Sequence, residues 1–161
     1  MKKACFVLIV CICLTACGFH LRGMVDVPAW LTNVAIISKQ GNNKEIVSLL
    51  KTQLEGYKLY INDDPLHAKY WLIINNSTYQ QQITSIGAST NPRQYQLILT
   101  VEFMLQEAKG KVLKEPKIVT ATRQLTVNND LILGSNEEEA ILLREMQQDA
   151  VIQIINRLSR K

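Results

Sequence analysis

Apolar and polar residues follow two different periods along this chain. Residues 33–38 hold Val34, Ala35, Ile36 and Ile37 in a run of strand length that ends in the polar turn Lys39-Gln40-Gly41-Asn42, and predict a first strand. Ile46, Val47, Leu49, Leu50 and Leu54 then keep helical spacing, with Asn42 and Glu45 placed as a capping box and Gly56 just past the last of them. A helix is predicted over residues 43–55. Residues 57–61 read as a brief strand, broken by Asp63-Asp64-Pro65, and residues 70–74 resume as a strand. From 75 to 86 the chain turns polar yet stays β-prone, with Thr78, Tyr79, Ile83 and Thr84 among glutamines and serines. This predicts a strand projecting past the core, with a turn over residues 87–93 at its tip.

The cleanest pattern follows. Tyr95, Leu97, Leu99, Val101, Phe103 and Leu105 alternate with Gln94, Gln96, Ile98, Thr100, Glu102 and Met104, the period of a long strand with one buried face. Lys109-Gly110 supplies a turn into a strand on which Val119, Ala121, Leu125 and Val127 share a face interrupted by Arg123. The last element is a helix: Ser135 with Glu138 forms a second capping box, and Glu137, Glu138 and Glu139 match the positive end of its dipole. Arg157, Arg160 and Lys161 match the negative end, and Leu143, Met146, Ala150, Ile154 and Leu158 form its apolar stripe. With one helix after the first strand, one at the end and long hairpin strands between them, the pattern predicts an α+β fold, a two-layer sandwich with two helices packed on one face of a four-stranded mixed sheet.

The first sixteen residues change the picture. Lys2 and Lys3 precede an apolar stretch from Ala4 to Leu14, and small residues lead to Cys17, the order of a secretory signal peptide. The apolar part, roughly 11 residues, is short of the roughly 20 that span a bilayer. Leu14-Thr15-Ala16-Cys17 resembles the bacterial lipobox, in which the cysteine thiol receives diacylglycerol before cleavage in front of it. Cys5, Cys11 and Cys13 leave with the leader, so Cys17 is the sole mature cysteine and no intramolecular disulfide can form. The expected division is a signal peptide over 1–16, a lipidated N-terminus and tether over 17–30, and a single α+β domain over 31–161. The expected covalent group is a diacylglycerol and N-acyl lipid on Cys17, and no other cofactor is expected. Two or more acyl chains anchor firmly where one is marginal.

Without Lys2 and Lys3 the chain carries sixteen basic and fourteen acidic residues, too mild a balance to suggest nucleic acid. His67 beside Asp63 and Asp64 offers donors, but too few at fixed spacing for a known metal pattern, so a solvated turn with a capping role is expected. No Gly-x-Ser-x-Gly elbow or phosphate loop is present, and no enzyme is expected. Lys109, Lys111, Lys114, Lys117 and Arg123, relieved only by Glu115, crowd one hairpin. They suit anionic phosphates or, equally, a strand edge guarded by lysines. Arg123 sits among apolar neighbours and must snorkel, pair or meet a ligand; pairing within the fold is the reading preferred.

Cys17-Gly18-Phe19-His20-Leu21-Arg22-Gly23 with Pro28 is similar to the mature start of the LptE family of lipopolysaccharide-assembly lipoproteins. The likeness continues through Arg93-Gln94-Tyr95 and the alternating strand, Pro116 and Arg123, and Glu145-Met146, Asp149 and Arg157-Leu158. The resemblance implies an outer-membrane, periplasm-facing lipoprotein that plugs the LptD β-barrel in a one-to-one complex. It would assist that barrel's assembly and lipopolysaccharide export, and could bind lipopolysaccharide through basic residues. Gly18 after the lipidated cysteine agrees with outer-membrane sorting. Arg93, Gln81, Gln82, Lys117 and Arg123 are the expected partner or lipopolysaccharide contacts. Just before the last helix, where a relative can carry a lysine, this chain has Gly134-Ser135. A free lipid carrier, which needs a large apolar cavity, and an envelope enzyme, which needs a convergent polar site, remain as alternatives.

Overall fold

The computed structural model describes residues 27–28, 31–86, 92–127 and 132–160, so the expected signal peptide, Cys17 and nearly all of the expected tether lie outside the described residues. The chain forms β1 (Val34–Ser38), a 3-10 turn, α1 (Lys44–Gly56), β2 (Tyr70–Ile86), β3 (Pro92–Glu107), β4 (Val112–Thr126) and α2 (Ile132–Ser159). Sheet order follows the sequence, β1-β2-β3-β4. β1 and β2 are parallel, joined through α1, and the other pairs are antiparallel. The mixed four-stranded α+β fold read from the pattern is what the chain adopts.

The core lies between the helices and one face of the sheet. Leu97, Leu99, Val101, Phe103 and Leu105 of β3 are buried there, as the alternation requires, beside Leu72 and Ile74 of β2 and Val119, Ala121 and Leu125 of β4. α1 contributes Ile46, Leu50 and Leu54, one face of its helical period. α2 contributes Met146, Ala150, Ile154 and Leu158, widened by Val151 and Ile155.

Four expectations need correction. Residues 57–61 form no strand: Ile61 makes one isolated parallel bridge to Val34, because the chain leaves α1 through Lys58 at φ 61 and touches β1 only in passing. The segments 70–74 and 75–86 are one strand with a register shift between Ile74 and Asn76, and Pro92 and Arg93 belong to β3 instead of the tip turn. α1 starts at Lys44 behind Asn43, whose side chain makes no cap bond and donates instead to Ser38 Oγ at 3.1 Å. α2 starts at Ile132, so Ser135 lies inside the helix and the three glutamates lie beyond its first turn. Leu131, Ile132 and Leu133 are good or tolerable helix formers, and a Ser-x-x-Glu pattern fits a helix interior as well as a cap.

The turn at Lys109-Gly110 stands as read. Gly110 takes φ 89, a value costly for a residue with a Cβ, and its N–H donates to Glu107 O at 2.9 Å.

Candidate partner-contact surface

Strand lengths set the shape of the candidate surface. β1 ends at Ser38 opposite Ile74, whereas β2 runs on to Ile86, paired with β3 as far as Pro92 and through it with β4 as far as Thr126. The three long strands therefore pass the end of β1. No charged residue occurs in β2 from Tyr70 to Ile86.

Registers assemble rows on the face turned away from the helices. Thr78 lies opposite Thr100 and Thr100 opposite Thr120; Gln80, Ile98 and Thr122 form the next row, and Gln82, Gln96 and Gln124 the one nearest the tip. Gln80, Gln82, Thr120, Thr122 and Gln124 are exposed. The sequence singled out Gln82 alone of these. Gln96 and Gln124 were visible as the polar partners of the alternation, but only the register shows that they share a row.

Gln81 points the other way. It pairs with Leu97 on the core-facing side, and its amide donates to Glu139 of α2 and to the Tyr79 hydroxyl at 3.4 Å. Tyr79 Oη itself donates to Glu139 Oε1 at 2.7 Å. Partial burial, aided by that carboxylate, pushes the Tyr79 hydroxyl up to about 12. A cleft of about 220 Å³ opens beside this cluster, between Tyr95 and Leu125 on the strands, Val127 just past β4 and Asn136 on α2. Gln81, though exposed like Gln82, thus has a partner in the fold before any other molecule arrives.

The basic candidates separate likewise. Arg93 is the second residue of β3, and its side chain lies outside the described residues. Lys117 is exposed on the edge strand β4, opposite Phe103. Arg123 is paired: its guanidinium donates to Asp149 and lies 3.7 Å from Glu145, and the hydrogen bond to Asp149 holds its proton more firmly still. It also donates to the Thr122 carbonyl at 2.9 Å.

That last bond belongs to a series. Arg157 donates to Ile118 O at 2.7 Å and Gln153 to Thr120 O at 3.1 Å, so side chains occupy three alternate carbonyls of edge strand β4. Pro116, which has no N–H to offer, lies on the same strand.

At the opposite end of the sheet, Asp64 accepts from Leu66 N at 2.9 Å and pairs with His67 Nδ1 at 2.8 Å; the backbone donor and then the imidazole hold its carboxyl below the ordinary range. Asp63 pairs with Lys51 at 2.6 Å. Asp64 thus caps a 3-10 turn, Pro65–His67, while Asp63 ties the chain before it to α1, and among the described residues no group of three potential metal ligands gathers.

Comparison with known proteins places these features among relatives. A family model described as LptE, lipopolysaccharide-assembly, matches residues 31–158. The LPS-assembly lipoprotein LptE of Pectobacterium atrosepticum is 27% identical over 143 residues, 88% of this chain and 76% of that protein. The solution structure of an uncharacterized lipoprotein B from Nitrosomonas europaea superposes with a TM-score of 0.71 at 26% identity, covering 88% of this chain and 90% of that one. A minor lipoprotein from Acinetobacter baumannii shares the fold, with a TM-score of 0.66 at 22% identity over 80% of this chain and 92% of its own.

Proposed function

The chain belongs to the LptE lipopolysaccharide-assembly family, and from that premise we propose that it is an outer-membrane lipoprotein, anchored through Cys17, that plugs and assists assembly of the LptD β-barrel in lipopolysaccharide export. One observation carries the reading: the uncharged rows of Thr78, Gln80 and Gln82 with their β3 and β4 neighbours, polar except at Ile98, on strands that pass the end of β1. A barrel lumen is polar, and a body lodged in it meets hydrogen-bonding groups on every side. Glutamine and threonine side chains match such a wall without the desolvation that buried charges would impose. Arg93, near the tip by its place in β3, adds a planar donor for a lumen carboxylate or a lipid phosphate. Lys117 offers a further cation, whereas Arg123 would first have to leave Asp149 and Glu145.

Affinity purification of the lipoprotein from detergent-solubilised envelopes tests the proposal. It should recover one β-barrel protein in near-equal amount. Alanine at Gln82, Gln96 and Gln124 should reduce that recovery and raise permeability to bulky hydrophobic antibiotics while leaving the melting temperature nearly unchanged. Unchanged recovery with these alanines would remove the open face from the contact, and failure to recover any barrel protein would remove the plug role.

A further inference from the structure

We propose that the end of the domain around the β3–β4 turn docks on the anionic phospholipid headgroups of the leaflet that carries the anchor; this rests on the lipid anchoring of the proposed function. Backbone hydrogen bonds bring the relevant pieces together. The chain comes in at Leu31, whose N–H donates to Pro28 O, and Asn33 O accepts from Lys69 N at 2.9 Å. Lys69 O accepts from Ala108 N at 3.0 Å, and Glu107 N donates to Lys111 O at 2.8 Å. The tether therefore joins the domain at the end where Lys69, Lys109 and Lys111 stand. Lys114, bonded to the Arg160 carbonyl, fixes the C-terminal end of α2 beside the start of β4.

The charge at this end is available. Lys69, Lys109 and Lys111 are exposed, and among the described residues none of them forms an ion pair. The nearby acids are occupied, Asp63 by Lys51 and Asp64 by His67 and Leu66 N. Glu107 subtracts one charge and leaves the end positive. A cleft of about 340 Å³ lies between Lys69 and Lys109, with Ala68, Ala108 and Glu107 completing it, and Lys69 Nζ is held 5.1 Å above the Tyr70 ring. Two ammonium groups over a shallow, partly apolar floor suit a phosphodiester headgroup.

The remaining geometry selects a membrane surface as the occupant. Fully extended, residues 17–30 span at most about 50 Å, so an anchored chain holds this end within reach of the headgroup plane. Beyond β1 the strand tip carries no charge on β2, and the cation that β3 adds there, Arg93, is offset in charge by Glu139, which bonds Tyr79 and Gln81, so an anionic leaflet attracts the lysine-bearing end of the domain more strongly than the tip. Each lysine near such a surface strengthens attachment about fivefold, and salt weakens it within a Debye length.

The test uses the chain from residue 17 with Cys17→Ser, which lacks lipid but keeps every described element. It is sedimented with vesicles of phosphatidylcholine alone or with about one third phosphatidylglycerol, at low and high salt. Binding should require phosphatidylglycerol and weaken with salt. Lys69→Gln, Lys109→Gln and Lys111→Gln together should lower affinity on the order of 100-fold, whereas Lys39→Gln, Lys44→Gln and Arg144→Gln together should retain it. Equal binding to both vesicles, equal loss in both triple variants, or binding only when lipopolysaccharide replaces phosphatidylglycerol would overturn the docking. Recovery of the barrel protein by the lipidated chain reads the plug role separately. Docking can therefore fail while that role stands, and the reverse.

Discussion

Leu99 on β3 and Tyr79 opposite it on β2 show how much one residue can carry. Leu99 is 2% exposed on the core face of β3, while Thr100 is half-buried on the open face. Leu99→Ala should cost about 2–5 kcal/mol, the range for removing buried methylenes and leaving a partly collapsed cavity. Thr100→Ala should cost less, and urea denaturation of both variants would reveal the reverse if the faces were misassigned. Tyr79 carries a pH dependence instead. Its hydroxyl is raised from 10.0 to about 12 in the fold, so its contribution is complete below pH 10 and is lost as pH rises through about 12. Wild type and Tyr79→Phe should therefore have a constant stability difference up to about pH 10 and a changing one above it, measured by denaturant titration. A difference that stays flat to pH 12 would remove Glu139 and burial as the cause.

Among the elements, β4 is distinguished by how its outer edge is covered. Arg157 and Gln153 reach from α2 to the carbonyls of Ile118 and Thr120, which would otherwise be open to another strand. Replacing both by alanine should lower stability by about 1–2 kcal/mol, two hydrogen bonds of ordinary strength, and increase concentration-dependent association seen by light scattering. Absence of association would show that Pro116 and the lysines protect the edge unaided. The strands themselves were legible in the sequence because burial on one face forces a period of two, and β3 obeys it from Tyr95 to Leu105. Residues 57–61 misled because Leu59 and Ile61 pack against the core without joining the sheet as a strand, so an alternation can arise from packing alone. The start of α2 misled because a capping pattern has no memory of what precedes it. At the candidate surface, Arg123 announced its need for a partner by sitting among apolar residues, yet Asp149 could be found only once α2 lay across β4. Gln81 gave no such sign, since its partner Glu139 is 58 residues away and glutamine is equally at home in water.

For the whole molecule, attachment and shape act together. Cys17→Ala should block lipid attachment and leave the leader uncut or miscut, as read by fractionation and intact mass; processing at residue 17 with retention in membranes after a high-salt wash would refute the anchor. The short first strand has a consequence of its own for an anchored chain. The proposed tether would enter the domain at the N-terminal end of β1, and β1 is parallel to β2 over five paired positions from Val34↔Tyr70 to Ser38↔Ile74. A pull between membrane and strand tip runs along those strands, so it loads the five rungs at once in shear and does not open them one after another as a zipper. The small strand that leaves the tip uncovered is thereby also the mechanical joint of the molecule, oriented to resist tension from the side on which its tether lies.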